Sequence, residues 1–337
     1  MALLLGIDLG TSSVKVLVTD EKGSIFGRGT ANYPLSTPKE GWVEQSPEEW
    51  WQAAILATRN ALSELDIDQA PAAIGLSGQM HGTVLLGEDN RVLRPAIIWP
   101  DQRSVRQVAE ITELVGEQRL IAITGSSAAT GFQASSLRWI QQNMKSIWEQ
   151  TSMVLLPKDY LRWRLCGEFI TDPSDAAGTG LFDGNGREWS RELLAALDVD
   201  PGLLPAIKTS TQPVGRLHPG PAQEMTLPDG IPVITGAADT AASLLGAGVI
   251  SEGDLLITIS TGGQLITPIS SFITDQQGKL HTFCTALEPG PPWYLMGATL
   301  AAGGSLRWLR DNVLKLASAE GYKRMIELAE DSPAGAK

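Results

Sequence analysis

The stretch LLLGIDLGTSSVKVLVTD, residues 3–20, constrains the fold more than any other part of the chain. Two apolar runs flank DLGTSS, and a lone carboxylate, Asp8, sits at the end of the first run. LLLGIDL reads as a buried strand, and the alternating VKVLVTD as a second. EKG makes a turn and SIFGRGTANY continues as a third strand, so the chain opens as a meander. The pattern returns near residue 253, where GDLLITISTGGQLITPIS again places a small-residue loop between two apolar strands. This reads as an internal repeat, and a duplicated unit of this kind suggests two similar domains facing each other across a cleft.

The loop after the first strand has the chemistry of a phosphate cradle. Gly10 lets the backbone approach an oxyanion closely, Thr11, Ser12 and Ser13 add donors, and backbone amides at a strand end bind anions. Asp8 would repel a phosphate directly. It can hold Mg²⁺, usually through water, and the ion then bridges phosphate oxygens. A hairpin turn with an Asp cap is the other reading of the same residues. The second loop, STGGQ, containing Thr261, Gly262 and Gly263, would supply phosphate donors from the far side of a cleft. Competing nucleotide signatures are absent. Gly278-Lys279 is followed by Leu280 and not by Ser or Thr, and there is no kinase H-R-D set and no G-x-S-x-G elbow.

Composition narrows the partners. At 337 residues the chain suggests about two domains. A net charge of −12 without a basic patch argues against nucleic acid or an anionic membrane as partner. Cys166 and Cys284 are far apart in sequence and form neither a disulfide framework nor a zinc site. With only His81, His218 and His281, a histidine-rich metal centre is not expected. MALLLGIDLG lacks a basic leading region, so it does not read as a signal peptide. VITGAADTAASLLGAGVI reads as a packed strand–turn–helix and not as a membrane span. The expected compartment is the cytoplasm.

Along the chain, Ser46 is placed as an N-cap, with Pro47 at the first helical position and Glu49 completing a capping box. The helix should run to around Leu65. AAIGLSGQ is the next strand, and TVLLGEDNRVLRPAIIWP a hairpin with a DN turn. SVRQVAEITELVG, SSLRWIQQNMKSIWEQ and the run from LLPKDYLRWRLCG read as helices. A Pro-rich linking region, 201–232, leads to IPVITGAADTAASLLGAG, where Asp239 follows a strand at a small-residue turn.

DLGTSSVK, GLSGQMHG, IIWPDQR, LLPKDYLRWRLCGEFITDPSDAAGTGLFD and TGAADTAASLLGAG occur in this order. Together they resemble the FGGY family of carbohydrate kinases, and GQMHG with the LLPKDYLR…DPSDAAGT run looks most like xylulokinases. HTFCTAL and MGATLAAGGSLRWL extend the similarity to about residue 312. The resemblance implies an α/β, actin-like ATPase (ribonuclease H-like) fold of two domains closing on ATP, Mg²⁺ and a sugar. It divides the chain into a sugar-binding and catalytic domain, 1–248, and the beginning of a nucleotide-binding domain, 249–337. The implied reaction moves the γ-phosphoryl of ATP to a ketose hydroxyl, for xylulokinases the 5-hydroxyl of D-xylulose. By the same resemblance Asp239 is the catalytic base and Asp8 the magnesium anchor. Gln79, Met80, His81, Trp99, Asp101, Arg103 and Thr240 lie at the sugar, with Met80 as apolar wall and His81 as hydrogen-bond donor; Arg103 reads equally as a structural partner of Asp101. Gly10, Thr11, Ser12, Thr261, Gly262 and Gly263 face the phosphates.

The chain departs from the family pattern at several positions. Thr240 stands where Asn is usual, the SLGTSG loop is ISTGGQ, the W-N-D triplet is Trp99-Pro100-Asp101, and Ser136 replaces a frequent lysine. The resemblance also implies a further stretch after AEDSPAGAK, with an FLPYLSGERTP-like segment and the glycine-rich loop that holds adenosine. The region after about 250 is therefore expected to show apolar faces without cover. Other FGGY acceptors, ribulose, gluconate or glycerol, and a non-catalytic sugar-binding fragment are the alternative readings. The expected partners are the sugar and ATP, with a homodimer admitted.

Overall fold

Three antiparallel strands, β1 (Leu4–Leu9), β2 (Ser13–Thr19) and β3 (Ile25–Asn32), form the opening meander. They belong to a computed structural model that describes residues 2–63, 65, 69–299, 301–316 and 320–333. Leu300, inside the MGATLAAGGSLRWL run, and the closing AGAK lie outside the described residues. β1 is not buried on both faces as its apolar run suggests. Leu5, Ile7 and Leu9 point into the core, whereas Leu4 and Gly6 are exposed and Asp8 shares their face.

β1 has a parallel neighbour on its other side, Ala73–Gly78, so that Asp8 lies beside Ser77. That strand pairs in parallel with Pro232–Ile234 and with Ala237–Ala238. The carboxyl ends of three parallel segments thus converge, the geometry in which open α/β sheets hold ligands. Pro213–Arg216 pairs antiparallel with Pro232–Ile234 and forms the sheet edge. The region 201–232 is therefore not a linker. Its prolines suit an edge strand, where a missing N–H breaks no internal ladder.

Helix α1 (Pro47–Leu62) covers the buried face of the meander through Trp50, Trp51, Ala53, Ala54, Ala57 and Ala61. Pro47 occupies the first turn, but the capping box does not form: the Glu49 amide donates to the Ser46 carbonyl, at 3.1 Å, and the Ser46 side chain makes no cap bond. The contact with β3 is unusually close. A Cβ on Gly29 would stand 1.8 Å from the Ala57 carbonyl oxygen, and one on Gly27 2.0 Å from that of Ala61. Small residues on both sides are what let the helix lie on the sheet.

Helices at Val105–Val115 and Pro157–Cys166 match the sequence pattern. The run from 133 is broken at Met144 into Gln133–Asn143 and Lys145–Gln150. The hairpin expected after residue 83 is reduced to isolated bridges, Thr83↔Ile97 and Leu86↔Val92. Its strands find other partners: Val84–Leu86 pairs with Met153–Leu155, and Ala96–Ile97 with Glu44–Gln45.

The second hairpin, Leu256–Ile259 with Gly263–Ile269, reproduces the first in outline. It continues into an all-antiparallel sheet with Trp293–Thr299 and Leu280–Cys284. One face of this sheet packs Ile266, Phe283, Tyr294 and Met296 against Met80, Ala176, Ala238 and Ala241 of the first region. Leu255, Ile257, Ile259 and Leu265 remain exposed.

Gly29→Ala should cost about 3 kcal/mol or more, because the obstacle is helix backbone and not a movable side chain. Gly6→Ala, whose Cβ meets nothing within 4 Å, should stay within about 1 kcal/mol of the parent. Urea unfolding of both variants checks the pair; equal midpoints would remove the close-packing account.

Candidate active site

Asp8 leaves β1 with its Oδ1 accepting from the Ser77 hydroxyl at 2.8 Å. Ser77 lies beside Ala237, two residues before Asp239. Asp239 opens the helix Asp239–Gly246, and its Oδ1 accepts from the Thr240 amide at 2.6 Å and the Thr240 hydroxyl at 3.3 Å. Burial, assisted by the Asp8 charge and opposed by the Thr240 bonds, pushes the Asp239 carboxyl up to about 6. Two carboxylates from segments far apart in sequence therefore feel each other at one place.

The loop between β1 and β2 is braced from behind. The Tyr33 hydroxyl donates to the Gly10 carbonyl, Gln45 Nε2 to the Thr11 carbonyl at 2.7 Å, and the Tyr33 amide to the Ser12 carbonyl at 3.3 Å. Trp99, nearly half exposed, donates its indole N–H to Thr11 Oγ1 at 3.0 Å. An aromatic ring thus stands beside the small-residue turn.

Gln79 follows the strand Ala73–Gly78 and is buried. Its Nε2 donates to Gln45 Oε1 at 3.0 Å, while its own Oε1 has no partner among the described residues. His81 adopts a positive φ of 71° and stacks on Phe132, with ring centroids 4.3 Å apart. Its Nδ1 lies 2.5 Å from the Gly178 carbonyl oxygen. A carbonyl only accepts, so Nδ1 carries the proton. Burial lowers the ring to about 4, against the pull of the Gly178 carbonyl, so His81 is neutral at pH 7. It therefore offers Nε2 as an acceptor, which corrects the expectation of a donor. Gly178 is required for this approach: a Cβ there would stand 2.9 Å from His81 Nδ1 and 3.0 Å from the Met80 methyl carbon.

Asp101 and Arg103 form the structural pair that is one of the two readings of Arg103. Both side chains are about 1% exposed and bonded to each other, with Arg103 Nη2 2.8 Å from Asp101 Oδ2. Asp101 also accepts from the Val43 amide at 2.6 Å, and Arg103 reaches Glu44 at 2.7 Å and lies over the Trp42 ring. The pair ties the segment carrying Trp99 to the Val43–Glu44 chain. Thr261, Gly262 and Gly263 lie at the turn between Leu256–Ile259 and Gly263–Ile269 of the second sheet. The Thr261 carbonyl accepts from Ala302 and Gly304 amides, and among the described residues no hydrogen bond joins this loop to Gly10–Ser12.

Beneath Asp239 lies a group that the motif reading quoted but gave no role. Lys158, Asp159, Arg162, Asp172 and Asp175 are all fully buried. Lys158 Nζ contacts Asp159 at 2.6 Å and Asp172 at 3.1 Å, and Arg162 contacts Asp159 at 2.7 Å. The legible signal was four charged residues within PKDYLRWR, whose helix has no solvent-facing stripe wide enough for them.

A cavity of about 690 Å³ runs along the open face of the sheet, past Gly6, Asp8, Lys15, Gly75, Ser77 and Ala242, and so reaches Asp8. Among the described residues no cluster of three or more His, Cys, Asp or Glu could cage a metal ion. Asp8 beside Asp239 does fit Mg²⁺, which keeps several waters and takes one or two carboxylates together with substrate phosphates.

The model of the FGGY family of carbohydrate kinases, N-terminal domain, matches residues 3–246. The chain is 40% identical over 316 residues to a xylulose kinase of Lactococcus lactis subsp. lactis (strain IL1403), covering 92% of this chain and 62% of the relative. It is 36% identical over 335 residues to a xylulose kinase of Escherichia coli (strain K12), covering 99% and 67%. The crystal structure of xylulose kinase from Rhodospirillum rubrum superimposes with a TM-score of 0.93 at 27% identity, covering 99% of this chain and 68% of that one. The chain thus spans about two-thirds of the length of the relatives it matches. No described helix is long and apolar enough to cross a membrane.

Asp239→Asn should raise the melting temperature near pH 7.5. The raised carboxyl holds its proton to higher pH in the folded chain than in the unfolded one, so the wild type loses stability as pH rises from about 4 to about 6. Asn retains an acceptor for the Thr240 amide and carries no charge, so the gain should be at most about 3 kcal/mol and vanish below about pH 4. Melting curves across pH 3.5–8 read it; a gain independent of pH would mean that no raised carboxyl is present.

Proposed function

The chain belongs to the FGGY family of carbohydrate kinases, and from that premise we propose that it takes part in ATP-dependent phosphorylation of D-xylulose to D-xylulose 5-phosphate. The observation that carries the reading is that Asp8 and Asp239 come to the carboxyl ends of two parallel segments that flank Ala73–Gly78, with Asp239 raised to about 6. Xylulose as acceptor is supported by the xylulose kinases among the relatives and by the Gln79-Met80-His81 sequence at a strand end.

In this reading the sugar lies over Met80 and beside Trp99. His81 Nε2 and Gln79 Oε1 receive hydroxyl protons, and the buried pairing of Gln79 with Gln45 fixes the direction in which that oxygen points. Asp239 in its ionised form accepts the proton of the 5-hydroxyl. The oxygen so released bonds to the γ-phosphorus of ATP as the bond to the β-bridging oxygen breaks. A positioned carboxylate contributes about 10²–10⁴-fold; the rest is alignment and charge compensation of the transferred group. Mg²⁺, when bound, offsets charge on the phosphate oxygens, and Asp8 would hold it through water. Gly10, Thr11 and Ser12 stand at the same end of β1, and Thr261, Gly262 and Gly263 would meet the nucleotide from the second sheet. Asp101 and Arg103 act through the segment that carries Trp99.

An ADP-release assay across D-xylulose, D-ribulose, gluconate and glycerol is expected to give the highest kcat/KM with D-xylulose. Absence of turnover with all four, or preference for another, would overturn the assignment. Turnover should climb with pH through about 6 as Asp239 loses its proton. Asp239→Ala should lower kcat about 10²–10⁴-fold while calorimetry finds sugar affinity little changed; wild-type turnover in that variant would exclude Asp239 as base.

A further inference from the structure

The turn that delivers Asp239 is gripped at both ends by the buried charge cluster. On one side Arg162 Nη1 donates to the Thr235 carbonyl at 3.0 Å. On the other the Ala238 amide, the last before Asp239, donates to Ser174 Oγ at 3.0 Å. The Ser174 hydroxyl in turn donates to Asp172 Oδ2, and Asp172 is also held by Lys158 Nζ at 3.1 Å and by Ser210 Oγ at 2.7 Å. All these side chains are buried. Lys158 itself is wedged under the strand end, where a Cβ on Gly78 would stand 3.0 Å from its own Cβ.

We propose that Ser174 is a positioning residue for Asp239, transmitting the placement of the Lys158–Asp172 ion pair to the Ala238 amide and so setting where the base points. The proposal rests on the reading of Asp239 as the base. Its logic is geometric. The Ala238 amide is fully buried and has no water to turn to, so loss of its acceptor leaves it to seek another by moving the turn. A carboxylate carried one residue further on moves with it, and misplacement of about 1 Å costs about 10²-fold in rate. The ionisable groups facing Asp239 are Asp8 from β1, Asp175 from the Pro173–Ala176 helix and Tyr294 from the second sheet. None of them touches Ser174 Oγ among the described hydrogen bonds, so a change at Ser174 reaches Asp239 through the backbone.

Ser210 supplies the control. Its hydroxyl makes an equivalent bond to the same Asp172 oxygen but none to the Ala238 amide. Ser174→Ala and Ser210→Ala should lower the melting temperature of the full chain to a similar extent. Only Ser174→Ala should move the Asp239 carboxyl titration, followed by ¹³C NMR and identified by its loss in Asp239→Asn, by about half a pH unit or more. Only Ser174→Ala should reduce kcat for D-xylulose, by about tenfold or more, with KM changed much less. A wild-type titration and kcat in Ser174→Ala, or equal changes in Ser210→Ala, would overturn the proposal. If Ser174→Ala fails to fold, Ser174→Cys, which keeps a weaker hydrogen-bonding group, is read by the same two measurements. If the wild type phosphorylates no sugar, the kinase reading fails, and the NMR arm still decides whether Ser174 positions Asp239.

Discussion

Two cations and three carboxyl groups, Lys158, Arg162, Asp159, Asp172 and Asp175, sit in this protein without access to water. Removing ions from water costs several kcal/mol each, and only close pairing with further hydrogen bonds offsets it. In the cluster the pairing is close: Lys158 contacts Asp159 and Asp172, and Arg162 contacts Asp159. Attraction to three carboxyl groups holds the Lys158 ammonium above its usual range despite burial. Burial drives the Asp175 carboxyl well above the carboxylate range. A buried, mutually paired cluster anchors a turn that must hold a reactive group in place.

The site stands on that anchor and on the sheet. β1, Ala73–Gly78 and Ala237–Ala238 run in parallel and end together, and each is followed by a residue set with chemistry: Asp8 and the small-residue loop, Gln79 to His81, and Asp239. Parallel strands place such groups on one edge without any of them being close in sequence. The groups around them are prepared for binding. His81 is kept neutral by burial with its proton committed to Gly178, and the loop carbonyls after Asp8 are held by Gln45 and Tyr33.

Much of this was legible in the residues. An apolar run located β1, alternation located β2 and the Ser46-Pro47 start signal located α1, and the motifs around Asp8, Gln79 and Asp239 marked the positions that the structure brings to one edge. Other features were not legible, for identifiable reasons. The Ser46 capping box satisfied a local rule, but the Glu49 amide bonded to a backbone carbonyl instead. Prolines between 201 and 232 suggested a linker because an edge strand has the same composition as a loop. Asp101 and Arg103 read equally as ligand contacts and as partners of each other, and only the fold shows them paired inside the protein. The donor assigned to His81 became an acceptor because its Nδ1–H donates to the Gly178 carbonyl, 97 positions later, and leaves Nε2 unprotonated.

By itself the sequence determined the local pieces: which runs are strands, where glycines permit close approach, and which acids stand where a chain leaves a sheet. These are encoded by period, residue size and neighbouring residues, all short-range properties. Tertiary structure alone decided that Asp8 and Asp239 come close enough to feel each other's charge, that Asp239 is pushed up toward neutrality, and that Lys158, Asp172 and Ser174 lie behind it. Those outcomes depend on dielectric and on distances between segments more than two hundred residues apart. Such quantities exist only after burial has removed water and fixed the geometry.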